Sequence, residues 1–338
     1  MKKIAVLGAG SWGSALAMVL ADNKHDVRLW GINAEQIEEI NTLHTNKNYL
    51  PDGVILPNNI KGYTDLPATI DQADLIVFAV PSKAFAEVAG KVVDAITEPT
   101  YIVHVSKGID PDTLQTNSEI LATLIPRDLY KEIVVLSGPS HAEEVSKRMI
   151  TAICATANDS LAAELVQDVF NNDYFRVYTN DDVIGVELAG ALKNIIAIGS
   201  GIIAGLQLGD NAKAALITRG LAEITKLSVK MGASPYTFLG LTGLGDLIVT
   251  CTSVHSRNWR CGYELGKGKP LAEIVDNMGM VVEGVRTTKA AYQLAEKHGV
   301  EMPITTTLYN MLFNDLNVKE ATAQLMSRDK KPELEKIF

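Results

Sequence analysis

The first half of the chain alternates short apolar runs with amphipathic stretches. Seven runs have the length of β-strands: KKIAVLG, DVRLW, DLIVFAV, YIVHVSKG, IVVLSGPS, TAICAT and FRVYTN. Several are apolar throughout, which is typical of strands buried on both faces of a parallel sheet. The alternation therefore predicts an α/β domain, a doubly wound and mostly parallel sheet with helices on both faces.

The pattern changes near residue 181. Beyond it, glycines and prolines interrupt a helical spacing of apolar residues, which covers five segments: 183–205, 211–232, 240–253, 285–299 and 306–313. None of them has the alternation of a β-strand. We expect a first domain over residues 1–180 and a mainly α-helical C-terminal domain over residues 181–338, ending in a frayed charged tail from residue 326.

The length, net charge and cysteine content of the chain limit which kinds of ligand, metal site and compartment are expected. A chain of 338 residues exceeds the size of one growing hydrophobic core, which again favours two domains. The net charge of -9 argues against nucleic acid and anionic membrane surfaces as partners, so an anionic ligand needs a local cationic site. The three cysteines show no metal-site or disulfide spacing, so we expect no metal and a cytoplasmic protein. The weakly polar segment 195–209 is too short and glycine-rich for membrane insertion.

A glycine-rich sequence follows the first predicted strand. Gly8, Gly10 and Gly13 form G-x-G-x-x-G before a helix predicted over residues 14–21. In this context the glycines permit a tight turn, close backbone approach to a pyrophosphate, and packing of the helix on the strand. The motif predicts a Rossmann-type domain that binds NAD or NADP, and the alternative is a plain turn between strand and helix.

The preference between NAD and NADP stays open. An acidic residue after the second strand would favour NAD, and an arginine would favour NADP. This chain continues from that strand with Gly31, Ile32 and Asn33, which supply neither. Asn33 is a candidate ribose contact.

Three more loops follow predicted strands, at residues 80–82, 106–108 and 137–140. Ligands of doubly wound sheets bind outside the carboxyl ends of the strands, so we expect these loops to face one crevice. Lys107 becomes a candidate for an anionic or carbonyl group of a substrate. The alternative is a solvated loop lysine.

Lys193 lies in an unusually apolar stretch, residues 185–201. Burying an ammonium group without a partner costs more than its methylene groups gain. Either its head reaches solvent, or it is buried for chemistry with a lowered pKa.

Taken together, the motifs resemble NAD(P)-dependent glycerol-3-phosphate dehydrogenase of the bacterial type along nearly the whole chain. The resemblance rests on GAGSWG at 8–13, SKG at 106–108, SGPSHAEE at 137–144, GVELAGALKN at 185–194, NAKAALITRGLAE at 211–223, GLGDLIVTCTS at 243–253, SRN at 256–258 and VVEG at 281–284. It implies a homodimer of two-domain chains with the substrate between the domains. The implied reaction reversibly reduces dihydroxyacetone phosphate, a phosphorylated triose, to sn-glycerol 3-phosphate for phospholipid synthesis.

The resemblance also implies roles for matched residues. The catalytic residues would be Lys193, Asp246 and Lys107. The substrate-binding residues would be Lys107, Gly138, Ser140, Lys193, Asn194, Asp246, Thr250, Ser256, Arg257 and Asn258. With the glycine loop and Asn33, the cofactor-binding residues would be Gly8, Gly10, Ser11, Trp12, Gly13, Asn33, Lys107, Ala142, Arg257, Val281 and Glu283. Relatives often carry a basic residue where this chain has Ile32, and its loss would weaken contact with a 2'-phosphate.

These residue types suit the implied chemistry. Hydride arriving at a ketone carbon leaves negative charge on the oxygen, so a proton donor such as Lys193 must lie within reach, with Asp246 orienting it. A phosphate ester needs a fixed cationic clamp, which Arg257 with Asn258 can supply. Asp246 could instead cap a helix, and Arg257 could be a plain surface residue. Two other functions stay open, a different 3-hydroxyacid-type dehydrogenase and a non-catalytic dinucleotide sensor.

Overall fold

The computed structural model describes residues 1–278, 281–330 and 332–333. The chain forms two compact units. The first unit comprises Met1–Ser106 and Asn117–Val183, and the second comprises Lys107–Thr116 and Ile184–Phe338. The second unit thus takes a short segment from within the first half of the chain. Of the expected frayed tail, residue 331 and residues 334–338 lie outside the described residues.

An eight-stranded sheet forms the first unit, in the order β3-β2-β1-β4-β5-β6-β7-β8. Every neighbouring pair is parallel except β6 and β7. The order reverses beside β1, which is the topological switch point of doubly wound folds. The strands are β1 Lys3–Leu7, β2 Asp26–Trp30, β3 Ile60–Tyr63, β4 Leu75–Phe78, β5 Thr100–His104, β6 Tyr130–Ser137, β7 Thr151–Thr156 and β8 Phe175–Asn180.

Helices cover both faces of this sheet, and β1 shows why. Ile4 and Val6 belong to one hydrophobic cluster, whereas Ala5 and Leu7 belong to another. Successive side chains of a strand point to opposite faces, so a strand that is apolar throughout needs a cover on each side. The covering helices are α1 Ser11–Asp22, α2 Ala34–Leu43, α3 Leu66–Ile70, α4 Ser82–Val93, α5 Asn117–Leu124, α6 Ala142–Val145 and α7 Ser160–Phe170.

The second unit is mainly helical, which together with the parallel sheet confirms the predicted fold class. Its helices are α8 Val183–Gly205, α9 Gly209–Lys230, α10 Asp246–Thr252, α11 Arg257–Gly266, α12 Leu271–Met278, α13 Glu283–His298, α14 Pro303–Phe313 and α15 Val318–Met326. Helix α8 is long and apolar enough to cross a membrane, but 83% of its most apolar window is buried inside the protein. It is the core helix of this unit.

Helix α11 approaches α8 at backbone distance. A Cβ on Gly201 of α8 would lie 2.0 Å from the Trp259 carbonyl oxygen, and a Cβ on Gly262 of α11 would lie 2.0 Å from the Ile198 carbonyl oxygen. Both helices therefore need glycine at this crossing. The close crossing fixes the start of α11 against the middle of α8.

Candidate active site

The glycine loop lies between β1 and α1, as predicted. Gly8 has a φ of 116°, and a Cβ there would lie 2.6 Å from the Ala79 carbonyl oxygen. A Cβ on Gly13 would lie 1.9 Å from the Gly8 carbonyl oxygen, whereas a Cβ on Gly10 would meet nothing within 4 Å. Gly8 thus permits the tight turn and Gly13 the close packing of the helix, whereas Gly10 leaves open space above the backbone.

Helix α1 begins at Ser11, three residues before the predicted start, because the Ser14 amide already donates to the Gly10 carbonyl at 2.9 Å. No side chain caps this N-terminus. The amides of its first turn, which includes Trp12, therefore remain suited to an anion. Open space and uncapped amides together fit a dinucleotide pyrophosphate.

Two side chains that sequence analysis missed hold this loop from behind. Asn46 donates to the Ala9 carbonyl oxygen at 3.0 Å, and Gln36 donates to the same oxygen at 2.5 Å. Asn46 also donates to Ser14 at 2.8 Å. No local motif marks these residues, since they lie beyond β2 and reach the loop only in the fold.

Asn33 is the N-cap of α2, where its side chain accepts from the Gln36 amide at 3.1 Å. Ile32 beside it is 84% exposed. The loop after β2 thus offers a capping amide and an exposed apolar side chain at the two positions considered for ribose recognition. A ribose contact by Asn33 stays a prediction.

The loop after β6 carries the other predicted residues of the first unit. Gly138 has a φ of 146°, and a Cβ there would lie 2.9 Å from the Ile153 Cα, so this position requires glycine. The Ser140 hydroxyl donates to the Gly138 carbonyl at 3.0 Å, and Ala142 is the first residue of α6. The turn is tightly shaped, and its substrate and cofactor roles stay predictions.

A buried ionic cluster forms the centre of the second unit. Lys193 is only 5% exposed, and its Nζ donates to Asp246 Oδ1 and to Thr250 Oγ1. Lys107 Nζ donates to the other carboxylate oxygen, Oδ2, at 2.6 Å. Two ammonium groups therefore share one carboxylate that is 1% exposed. The expected burial of Lys193 and its pairing with Asp246 are confirmed.

The pKa of the Lys193 amine results from two opposing effects, burial and the shared carboxylate. Burial lowers the pKa of Lys193 to about 8, Asp246 opposes the change, and the charge of Lys107 adds to it. Burial alone would raise the pKa of Asp246, but Lys107 and Lys193 hold it below its usual range. The cluster thus presents an amine that can gain and lose a proton near neutral pH beside a carboxylate that stays ionised.

A glycine-rich turn aims Asp246 at α8. Residues Leu241–Gly245 form a π-helical turn, and a Cβ on Gly243 would lie 2.3 Å from the Phe238 Cα. Asp246 is the first residue of α10, and Gly245 occupies the N-cap. The alternative of a capping role for Asp246 is therefore wrong, because its carboxylate accepts from the two lysines instead.

The start of α11 holds the predicted phosphate turn. Ser256 caps the helix by accepting from the Trp259 amide at 3.2 Å, and the exposed Arg257 is its first residue. Buried Asn258 donates to Asn194 Oδ1 at 2.8 Å. The turn is thereby tied to the residue that follows Lys193 on α8.

The VVEG segment joins the same turn. The Gly284 amide donates to Asn258 Oδ1 at 2.9 Å, and a Cβ on Gly284 would lie 2.7 Å from the Asn194 carbonyl oxygen. This contact brings Val281 and Glu283, both partly exposed, to the neighbourhood of the α11 start. Among the residues of the second unit, the structure therefore brings together those predicted from GVELAGALKN, SRN and VVEG.

Two family models match the chain. The N-terminal domain of NAD-dependent glycerol-3-phosphate dehydrogenase matches residues 3–163, and the C-terminal domain matches residues 182–323. A glycerol-3-phosphate dehydrogenase [NAD(P)+] of Lysinibacillus sphaericus is 62% identical over 337 residues, covering 100% of this chain and 99% of its own length. One of Bacillus thuringiensis is 59% identical with the same coverage. The crystal structure of glycerol-3-phosphate dehydrogenase from Coxiella burnetii, 41% identical, superposes with a TM-score of 0.90 over 97% of this chain and 99% of that one.

Proposed function

Because the chain belongs to the NAD-dependent glycerol-3-phosphate dehydrogenase family, we propose that it interconverts dihydroxyacetone phosphate and sn-glycerol 3-phosphate with NAD(P)H. The reaction would supply glycerol 3-phosphate for phospholipid synthesis. The single observation that carries the proposal is the buried amine of Lys193, which shares the Asp246 carboxylate with Lys107. A buried amine with a pKa lowered to about 8 beside a paired carboxylate is typical of a proton-transfer site, which favours an enzyme over a sensor without turnover.

We assign dinucleotide binding to residues 1–180, with the glycine loop and the amides of the first turn of α1 holding the pyrophosphate. When bound, the nicotinamide supplies hydride to the carbonyl carbon of the substrate. The proposed cofactor contacts are Gly8, Gly10, Ser11, Trp12, Gly13, Asn33, Lys107, Ala142, Arg257, Val281 and Glu283. The open space above Gly10 and the uncapped helix support the pyrophosphate assignment.

Proton transfer is assigned to Lys193, within a substrate and catalytic domain of residues 181–338. In the reducing direction its ammonium form donates a proton to the oxygen that acquires negative charge, and in the oxidising direction its neutral amine accepts one. A pKa of about 8 keeps both forms populated near neutral pH. Asp246 orients the amine, and Lys107 adds positive charge beside the developing alkoxide.

Phosphate recognition is assigned to the start of α11. Arg257 offers a planar guanidinium at a helix N-terminus, where backbone amides also favour an anion. Asn258 and Asn194 brace this turn through their mutual hydrogen bond. The other proposed substrate contacts are Gly138, Ser140, Thr250 and Ser256. In a chain of net charge -9, such a local site decides which anions bind.

We also propose a cytoplasmic homodimer. All three cysteines are buried and free, which suits a reducing compartment. Sedimentation equilibrium of the purified protein measures the assembly directly. A monomer at all concentrations would contradict this part.

The activity test is a matrix of steady-state rates followed by nicotinamide absorbance. NADH and NADPH are each combined with dihydroxyacetone phosphate, dihydroxyacetone and a 3-oxo acid. We expect turnover of the phosphorylated ketone, slow turnover of dihydroxyacetone because it lacks the phosphate, and none of the acid. Preferential reduction of the acid would identify a hydroxyacid dehydrogenase and overturn the proposal.

A further inference from the structure

The segment that carries Lys107 is a small closed hairpin, residues Lys107–Thr116 of the second unit. Ile109 and Thr116 pair as an antiparallel bridge, and the Asp110 amide donates to the Gln115 carbonyl at 3.0 Å. The Asp110 side chain accepts from the Thr113 amide at 2.9 Å and closes the turn. We call this segment the Lys107 hairpin. Its internal bonds define its shape, but its position depends on its contacts with the helices.

Besides the Lys107–Asp246 ion pair and the packing of Leu114 on the core cluster around α8, three further contacts hold the hairpin on the helical unit. Ile109 is 2% exposed and belongs to the hydrophobic core cluster around α8. Asp110 forms an ion pair with Arg286 of α13 at 3.4 Å. The Thr116 hydroxyl donates to Glu187 Oε2 of α8 at 2.8 Å.

The bond between Thr116 and Glu187 differs from the other two contacts because it joins buried polar groups. Thr116 is 7% exposed and Glu187 is 8% exposed. Burying a carboxylate in an apolar helix costs free energy unless hydrogen bonds offset it, and a bond to a charged acceptor is stronger than a neutral one. Glu187 precedes Lys193 by six residues on the same rigid helix. One helix therefore holds both the proton-transfer amine and the anchor of the hairpin.

We propose that Glu187 is a positioning residue, which holds the Lys107 hairpin through Thr116 so that Lys107 reaches the carboxylate of Asp246. This inference rests on the proposed function. Glu187 accepts a hydrogen bond from Thr116 at the end of the hairpin, so it acts on Lys107 through the backbone of the hairpin. Its role is to keep the amines of Lys107 and Lys193 bound to the same carboxylate, that of Asp246.

Loosening this anchor has a predictable electrostatic consequence. The groups that face Lys193 are the Asp246 carboxylate, the Lys107 ammonium and the Cys251 thiol. Lys107 adds to the lowering of the Lys193 pKa that burial causes. When Lys107 withdraws, the Lys193 pKa rises, so the alkaline limb of the reduction rate moves to higher pH.

The primary test is Thr116→Val, which removes the hydroxyl and keeps the shape. We expect kcat for dihydroxyacetone phosphate to fall about 10-fold, within the roughly 10²-fold that a 1 Å misplacement can cost. We also expect the alkaline limb of the reduction rate to move to higher pH. Thr116→Ser restores the rate because it keeps the hydroxyl. Thr225→Val is the matched control, since this buried hydroxyl donates only within its own helix, to the Leu221 carbonyl at 2.7 Å.

A double-mutant cycle separates positioning from a general structural role. In a Lys107→Met background, Thr116→Val should cause no further loss of kcat and no further movement of the pH limb, because the group being positioned is gone. Additive losses in the double variant would overturn the proposal. So would wild-type kinetics in Thr116→Val.

A labelling experiment keeps the inference testable apart from the enzyme assay. Acetylation rates of individual lysines, measured by peptide mass spectrometry, should rise about 10-fold at Lys107 in Thr116→Val and stay constant in Thr225→Val. An unchanged Lys107 rate contradicts the positioning role. An inactive wild-type protein with a faster Lys107 rate in the variant would instead contradict the proposed function and leave the anchor supported.

Discussion

Two cationic regions of the helical unit hold their positive charge in opposite environments. Lys193 is 5% exposed and shares a buried carboxylate, whereas Arg257 is exposed at the start of α11. Burial makes the lysine titrate near neutral pH, while a guanidinium keeps its charge at any physiological pH. In the proposed function, the buried cation transfers protons and the exposed cation binds the substrate phosphate, so the placement of each cation sets its proposed role. The comparison can be tested by removing each cation separately.

The first prediction concerns the buried cation and the largest effect. Lys193→Ala should lower kcat by roughly 10² to 10⁴, the usual contribution of general acid catalysis. Cofactor affinity and the cooperative unfolding transition remain, because Asp246 keeps Lys107 as its partner. Steady-state kinetics, cofactor titration and thermal unfolding measure the three quantities. Near-normal turnover would remove Lys193 from the mechanism.

The second prediction concerns the exposed cation. Arg257→Ala should raise KM for dihydroxyacetone phosphate by about 10-fold to 10²-fold, the range for losing a charge-assisted hydrogen bond. Turnover of unphosphorylated dihydroxyacetone should change little. Arg260→Ala is the matched control, since Arg260 is an exposed arginine one turn further along the same helix. Equal losses on both substrates would argue against phosphate recognition by Arg257.

The third prediction follows from the lowered pKa of Lys193. In the proposed mechanism its ammonium form donates the proton, so the reduction rate should be constant below about pH 8 and fall about 10-fold per pH unit above it. The oxidation rate should rise about 10-fold per pH unit up to about pH 8 and level off above it, because the neutral amine is the proton acceptor in that direction. Arg257→Ala should leave this limb in place, since a guanidinium does not titrate there. If the alkaline limb of the reduction rate shifted in Arg257→Ala, the two cations would not have the separate roles proposed for them.

Sequence patterns predicted most of the fold because several strands, such as β1 and β4, are apolar along most of their length. The pattern over residues 183–205 matches α8 from end to end. The edge strand β3 was missed, since IKGY is short, contains a glycine and is only partly buried. The antiparallel pairing of β6 with β7 also lay beyond local patterns, because the direction of pairing depends on the path of the connecting chain.

The candidate site was harder to predict from residues alone. Asp246 binds one lysine 53 residues away and another 139 residues away, a spacing that no local pattern encodes. The resemblance supplied the residue names, and the family matches confirm that resemblance. Neither the residue patterns nor the resemblance indicated that residues 107–116 belong to the helical unit. That assignment depends on the buried contacts of Ile109 and Thr116, which only the folded chain reveals.

The fourth prediction has the smallest expected effect and concerns the helix crossing that sets the position of Arg257 relative to Lys193. Gly262→Ala would place a Cβ 2.0 Å from the Ile198 carbonyl oxygen, so α11 must shift from α8 at a cost of about 1–3 kcal/mol. Because α11 carries Arg257 and α8 carries Lys193, KM for dihydroxyacetone phosphate should rise while the alkaline limb near pH 8 stays in place. Gly90→Ala is the control, since a Cβ there meets nothing within 4 Å and should stabilise α4 by up to about 1 kcal/mol. Urea unfolding and steady-state kinetics on both variants measure these changes. An unaffected KM in a destabilised Gly262→Ala protein would show that the helix crossing supports the fold without setting the phosphate turn.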